Sequence, residues 1–357
     1  MAKLETDIQI SKFSDSDYAR LIRLTESTYP GKEISHPLYL KWEYEQNPDG
    51  RAIIYVAEEE KKLAAQYLIL QRKFYFDGEI ISGSWSVNTL THPDYRGMGL
   101  FGKLADKTYQ HASELGIYFT AGVPNALSYP VFISRLGFKN PGKLNFFVKP
   151  LRPLNIGMKI FGGLKSKEGS DIHFNLLPEK SSGNILSEFD FKQDSDAYEG
   201  LHDKFIRTKK ICGLRNFAYL KWRYQEIPER KYYLLKNSAE ELKFLLVCRA
   251  KLVYGLNCLI ILDIIADPEM PKKNLIEYMK DAIELSSRNK IDLVVCALSG
   301  NGCEAKLLKD SGFILPPERF LPQQLHFIYR QHNDFSRAQL MDEMQNWHLT
   351  FGDYDVF

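Results

Sequence analysis

The alternation of apolar and polar positions changes period several times along the first 150 residues. Residues 15–26, DSDYARLIRLTE, open with a capping-type start and then set apolar side chains at helical spacing, which predicts an amphipathic helix. After the loop STYPGKEISHP, the segment YLKWEYEQNP predicts a short second helix stopped at Asn47-Pro48. AIIYVAE and LAAQYLILQRKFYF then read as strands on either side of the charged turn EEEKK. Asp77-Gly78 is a hairpin signal leading into the strand IISGSWSVNTLTH. FGKLADKTYQHASELG returns to helical spacing, GIYFTAGV is a short apolar strand, and NALSYPVFISRLGF is a helix ending at a glycine.

Residues 152 to about 183 break the pattern with GMKIFGGLKSKEGS and EKSSGN, a Gly, Ser and Lys-rich linker with room for one short helix. Beyond it the order starts again. SDYARL is echoed by SDAYEGL, and YLKWEY at Tyr39 returns as YLKWRY at Tyr219, 180 residues later, each running on to a proline. LTHPDYRG…RLGF aligns without a gap to IADPEMPK…DSGF, 175 residues on. The recurrence of these features in one order predicts an α/β fold with mixed sheets, built as two copies of one domain. The expected division is 1–151, a linker at 152–183, and 184–357. Each YLKW helix alone reads as a packing helix, its aromatic residues laid against a sheet.

Composition narrows the function classes. Of 357 residues, 44% are hydrophobic and 26% charged, with a net charge of +2, so no strongly basic face for nucleic acid is expected. No apolar run reaches the ~18 residues of a membrane span, and MAKLETDIQI lacks a signal-peptide pattern, so a cytoplasmic protein is expected. The five cysteines, Cys212, Cys248, Cys258, Cys296 and Cys303, form no CxxC and mostly sit in strand-like runs, which predicts buried thiols. The histidines form no HxxxH or HExxH pattern, and no structural metal is expected.

The two copies differ most at HPDYRGMGLFGKL, residues 92–104. Arg96, Gly97, Gly99 and Gly102 align with Pro271, Lys272, Asn274 and Glu277, so the glycines occur once only. Glycines between a strand and a helix let the backbone approach a ligand, and the free N–H groups of the helix start favour a phosphate there. A tight turn with no ligand explains the same glycines. The spacing also fits GxGxxG, but a polar turn precedes it and the next strand offers no carboxylate, against a Rossmann site. No Gly-Lys-Ser/Thr is present for a Walker A loop.

The run strand, THPDYRGMGLFGKL, helix, strand, then PN…Y…F…LGF resembles the GNAT superfamily of acyl-CoA-dependent N-acyltransferases. Its phosphate loop, Arg/Gln-x-x-Gly-x-Gly/Ala, corresponds here to Arg96-Gly97-Met98-Gly99-Leu100-Phe101, with Phe101 departing from the pattern and Gly102 one further on. The likeness covers about residues 5–150, and the second half resembles the same fold with the loop lost.

The resemblance implies that acetyl-CoA lies between two splayed strands, SWSVNTLTH and GIYFTAGV. Backbone near Leu90 and Thr91 would pair with the pantetheine arm, residues 96–102 would hold the pyrophosphate, and Asn125 would add a contact. It further implies attack of the acceptor amine on the thioester, with a base and an acid. The family often places a carboxylate on the strand before the loop; here Trp85 stands at that position and no acid lies between Ile80 and Thr91. Ile133 occupies the usual position of the acid tyrosine, so Tyr129, one turn earlier, is the candidate acid, with a packing or CoA-contact role as the alternative. The acceptor is expected near Tyr29, His36, Trp42 and Asn88. The same region, with Glu26, Tyr29, Glu33 and His36, is one source of a base, with solvated surface charge as the alternative. The C-terminal NWHLTFGDYDVF is the other, through Asp353, Asp355 or the terminal carboxylate of Phe357, and packing on the second domain is its alternative.

Together these imply an N-acetyltransferase acting on a small amine, with an amino sugar as the acceptor suggested by chains of this tandem type. A non-catalytic acyl-CoA-binding sensor or scaffold is the rival from another class. Peptide or protein acetylation is a third reading, and the second copy can serve as a homodimer surface or complete the acceptor cleft.

Overall fold

The computed structural model describes residues 8–161, 169–175, 185–300, 302–321 and 323–354. Strand β1 (Gln9–Lys12) leads to helices α1 (Tyr18–Thr28) and α2 (Pro37–Glu45). Ser14 opens the turn before α1, its backbone N–H and hydroxyl both donating to the Asp17 carboxylate. Pro37 starts α2, where a missing N–H costs nothing. An antiparallel meander follows: β2 (Ile53–Glu59), β3 (Lys62–Phe76) and β4 (Glu79–Thr91). Its two turns, Glu60-Lys61 and Asp77-Gly78, have positive φ at both central residues, the geometry that matches strand twist in a two-residue hairpin. Then come α3 (Leu100–Glu114), β5 (Phe119–Gly122), α4 (Tyr129–Arg135) and β6 (Lys139–Lys143).

The chain continues through β7 (Asn145–Pro150), α5 (Pro153–Phe161), β8 (Leu186–Glu188), α6 (Ser195–Ile206), β9 (Ile211–Gly213) and α7 (Phe217–Tyr224). A second meander is formed by β10 (Tyr233–Asn237), β11 (Phe244–Val253) and β12 (Leu256–Ala266). Then follow α8 (Lys272–Arg288), β13 (Leu293–Leu298), α9 (Cys303–Asp310), β14 (His326–Gln331) and β15 (Trp347–His348).

Two mixed sheets result. The first has the order β1-β2-β3-β4-β5-β14-β6, with β9 against the end of β3 and β15 beside β9. The second runs β7-β13-β12-β11-β10-β8. Each half therefore lends a strand to the other. β14 enters the first sheet between β5 and β6, and β7 pairs antiparallel with β13 in the second. The division expected at residue 151 falls just after a strand of the second sheet. Helices α1 and α2 pack on one face of the first sheet through Leu21, Leu24, Leu40 and Tyr44. Helices α3 and α4 pack on the other through Leu100, Leu104, Phe132 and Leu136.

The two YLKW helices, α2 and α7, meet where the halves join. The rings of Trp42 and Trp222 stack at 4.7 Å with 15° between their planes. Trp42 Nε1 donates to the Trp222 carbonyl at 2.9 Å, and Trp222 Nε1 donates to the Trp42 carbonyl at 3.2 Å. The exchange is reciprocal, as a local two-fold axis requires. The C-terminal segment then packs on the second sheet through a bridge between Thr350 and Leu298, and Asp353 reaches the junction. There Asp353 Oδ2 accepts from Arg215 Nη2 at 2.7 Å, while its Oδ1 lies 2.9 Å from Arg72 Nη2 of β3.

Cys212, Cys248, Cys258 and Cys296 are buried free thiols, as their apolar context predicts; Cys303 is exposed. Among the described residues no helix is long and apolar enough to cross a membrane, and no cluster of three or more His, Cys, Asp or Glu is placed to hold a metal.

Candidate active site

The β4–α3 connection forms a short turn, Pro93–Tyr95, and then the glycine run. Gly97 (φ 81°) and Gly99 (φ 72°, capping α3) lie in the left-handed region, which L side chains avoid. A Cβ built on Gly97, Gly99 or Gly102 would meet no atom within 4 Å, so open space stands over the start of α3. The first N–H groups of this helix point into that space, where the dipole is positive. Arg96 is exposed beside it. Phe101, the departure from the family pattern, packs inward, edge-on to Tyr67 and Phe132. Met98 joins the same apolar cluster.

Next to this loop the sheet opens. β4 and β5 run parallel but pair only at Ser84–Thr120 and Trp85–Ala121, while β4 continues to Thr91. Among the described residues no strand pairs with β4 on that edge from Ser86 onward, and a wedge is left. A bulge lies within it: Leu68 faces Val87 and Gln66 faces Leu90, so Asn88 and Thr89 together oppose Tyr67, one residue more than regular pairing, with φ +45° at Asn88. The Thr89 hydroxyl is buried without a hydrogen-bond partner. Leu90 and Thr91 flank the wedge, with the Leu90 side chain buried under α1 and α2.

The α3 side of the wedge is polar and satisfied. Ser86 Oγ is hydrogen-bonded to Tyr67 Oη at 2.9 Å, and Tyr67 in turn to Tyr109. Ser84 Oγ meets Thr120 Oγ1 at 2.7 Å, and Thr120 meets His332 Nε2 at 2.7 Å. Burial, helped by the charge of Arg330, pushes His332 down to about 4, so its imidazole is neutral near pH 7. Burial pushes the Tyr67 hydroxyl up to about 12.

The α2 side carries the charge. Asn88 Nδ2 donates to Glu43 Oε2 at 2.6 Å, and Glu43 is 2% exposed. Glu43 lines a cavity of about 40 Å³ with Trp85 and Val87 of β4, Tyr219 and Arg223 of α7, and Tyr354 of the C-terminal segment. That is room for about three waters. Trp42 and Trp222 form one wall. Arg72 and Asp353 also border the cavity, and the Tyr354 hydroxyl is buried there without a partner.

The structure brings Trp42 to the lining of this cavity, and Asn88 to the carboxylate of Glu43. Tyr29 and His36 stay on the α1–α2 connection outside its lining, where Tyr29 is exposed and His36 Nε2 lies 3.3 Å from the Glu229 carboxylate. Glu26 accepts from the Gly31 N–H, and Glu33 accepts from Arg230 Nε at 2.5 Å. Asn125 is turned to its own loop, its Oδ1 accepting from the N–H groups of Leu127 and Ser128. Tyr129 begins α4; its hydroxyl accepts from Asn140 Nδ2 at 2.6 Å and its ring stacks on His326. Ile133 packs into the α3–α4 cluster. Asp353 reaches the junction, whereas Asp355 and Phe357 lie outside the described residues. Sequence reasoning missed Glu43, Arg72 and Tyr354. One signal was available for Glu43: it is the position that changes to arginine when YLKWEY is repeated as YLKWRY.

Residues 9–140 match the family described as "Acetyltransferase (GNAT) domain". Among solved structures the chain is similar to a GCN5-related N-acetyltransferase from Anabaena variabilis, at 16% identity over 91% of this chain and 73% of that one, TM-score 0.63. It is also similar to Saccharomyces cerevisiae N-myristoyltransferase with bound myristoyl-CoA, at 12% identity over 92% and 79%, TM-score 0.61. A probable N-acyltransferase from Enterococcus faecalis is similar at 10% identity over 91% and 73%, TM-score 0.64. No curated protein matches the sequence. Residues 9–140 thus match a GNAT domain, and at such identities the likeness of the whole chain to these structures is one of fold alone.

Proposed function

We propose that this protein is a cytoplasmic N-acetyltransferase that moves an acetyl group from acetyl-CoA to the primary amine of a small molecule, with amino sugars as the first class of acceptor to test. The observation that carries this reading is the open, glycine-lined start of α3 standing directly beside the wedge between β4 and β5. A phosphate fits where three glycines leave space over free helix N–H groups. An extended pantetheine arm fits an unpaired strand edge, where β4 offers backbone groups near Leu90 and Thr91. The bulge at Asn88 turns the strand at the depth where the thioester would lie. Fixed backbone donors at that point would favour charge developing on the thioester oxygen.

The protein's own groups divide the remaining tasks. Tyr129 is assigned the proton returned to the departing thiolate, since accepting from Asn140 leaves its own O–H to donate. The acceptor enters from the α2 side, where the second half closes the cavity with Tyr219 and Arg223. Calorimetry with acetyl-CoA, followed by CoA release in an amine screen, tests the reading. Micromolar binding, lost in Gly99→Glu, with CoA release on adding an amine, is the expected result. Binding without release for any amine makes the chain an acyl-CoA-binding protein, and no binding removes the proposal.

A further inference from the structure

We propose that the recess between α1, the β2–β3 turn and His92 binds a phosphomonoester dianion, at a place separate from the helix start that receives the pyrophosphate. The recess holds about 330 Å³, the lower end of the roughly 300–1,000 Å³ of small-molecule sites. Arg20 and Arg23 of α1 line one side, Glu60, Lys61 and Lys62 line the other, and His92 closes the end. Three observations converge on it.

First, its cations are unpaired. Arg23, Lys61 and Lys62 form no ion pair among the described residues, and Glu60 is the single carboxylate in the lining. Arg20 is not counted with them, because it already pairs with Asp17 and Glu58. The walls therefore carry an excess of positive charge, and a concave surface lined by one sign concentrates the opposite one.

Second, the recess is held in shape. The turn sets Glu60 at φ 46° and Lys61 at φ 68°, left-handed values at two residues that both carry long side chains. The next hairpin meets the same demand with Asp77-Gly78, the ordinary solution. Here the turn keeps a lysine at the rim instead. Arg20 Nη1 donates to the Lys61 carbonyl at 3.3 Å and fastens the turn to α1. The Tyr95 hydroxyl donates to Glu59 and fastens the same hairpin to the segment that runs into the glycines. His92 donates its N–H to the Ala64 carbonyl at 2.8 Å, and its Nδ1 accepts from the Asp94 N–H at 3.3 Å, which leaves Nε2 as the ring's N–H donor.

Third, the second half does not repeat it. Asp267 stands at the position aligned with His92. In that corner Lys204 of α6 lies 2.9 Å from Asp267 and 3.5 Å from Glu241 of the β10–β11 connection, and Glu241 also pairs with Lys243. Cations and carboxylates are matched there. The corner with spare cations is the one beside the glycine loop.

A phosphomonoester suits this arrangement better than a carboxylate. It carries about two negative charges near neutral pH and three terminal oxygens, so cations on two facing walls can reach it together. Two molecules bring such a group here: acyl-CoA, through its 3′-phosphate, and a phosphorylated acceptor. The anion site stands on the recess alone; the choice between these sources rests on the acyltransferase reading above.

The test is calorimetry on the full chain with two matched pairs of probes. One pair is acetyl-CoA and acetyl-3′-dephospho-CoA. The other is D-glucosamine 6-phosphate and D-glucosamine, added to protein saturated with acetyl-3′-dephospho-CoA. In at least one pair the phosphomonoester should bind at least about tenfold more tightly, the size of one charge-assisted hydrogen bond. The double variant Arg23→Gln/Lys61→Gln should lose that preference. Both residues are exposed, so its melting temperature should stay within about 2 °C of wild type. Lys280→Gln/Lys290→Gln, the same charge change in the second half, should keep the preference. A preference in the first pair assigns the recess to the cofactor, and one in the second pair assigns it to the acceptor. No preference in either pair overturns the proposal, as does a preference that survives in Arg23→Gln/Lys61→Gln. Wild-type protein that binds neither CoA, yet holds D-glucosamine 6-phosphate through Arg23 and Lys61, removes the acyltransferase reading and leaves the anion site standing.

Discussion

Replacing Gly102 by alanine separates the two explanations of the glycine run, because only one of them requires weaker cofactor binding. Gly102 is the third residue of α3 and its Cβ position is empty to 4 Å. In the protein alone the methyl group meets nothing and the helix gains, since alanine is favoured over glycine within a helix by about 0.5–1 kcal/mol. For a chain of this size that is a rise in Tm of roughly 1–3 °C. A pyrophosphate held on the helix N–H groups would meet the same methyl at contact distance. Loss of one charge-assisted hydrogen bond costs about 1.5–3 kcal/mol, or roughly 10- to 150-fold in Kd. Gly102→Ala should therefore melt higher and bind acetyl-CoA more weakly, read by thermal unfolding and calorimetry on one preparation. Gly99→Ala is the poorer probe, because at φ 72° the strain of about 1–2 kcal/mol lowers stability as well. Gly102→Ala that is stabilised yet binds within twofold of wild type would refute the reasoning, and the glycines would be a turn and no more.

Asp353→Asn removes the charge that faces both Arg72 and Arg215, which are 4% and 1% exposed. Arg215 keeps Asp263, so a loss of about 3 kcal/mol is expected in urea unfolding, and a loss under about 1 kcal/mol would show that the junction relaxes around the pair. His332 is held at about 4 against an ordinary 6.5, so the unfolded chain binds its proton first as pH falls. Its contribution is complete above about pH 6.5 and is lost on acidification toward pH 4, at most about 3 kcal/mol. Burial lowers His202 and His348 in the same direction, so the measurement is the difference in pH slope between wild type and His332→Gln, and equal slopes would contradict the prediction.

Local pattern carried much of this molecule into view. The hairpin at Asp77-Gly78, the helix stop at Asn47-Pro48 and the glycine run are short-range signals, and each sits where its chemistry puts it. The double YLKW was legible as a repeat, but the sequence gives no reason to expect the two copies to stack on one another. What could not be read is pairing over long separations. NFFVKP and HFIYRQ alternate like any strand, and nothing in either says that it belongs to the other half's sheet. Glu43 escaped for a similar reason: a buried acid in an aromatic helix has no local signature, and its meaning comes from Asn88, 45 residues away.

The exchange of β7 and β14 also governs how the chain can be made. Strand β5 pairs with β4 on one side and finds its other neighbour in residues 326–331, so the first sheet cannot be completed while the ribosome is still translating the second half. At ~5–20 residues per second, an open edge at β5 persists on the nascent chain for on the order of ten seconds or more. For that interval the amino-terminal half carries an unpaired strand edge, the feature that templates aggregation. Gene fusion events that cut this chain between its halves would leave each piece with a missing strand and an edge ready to aggregate.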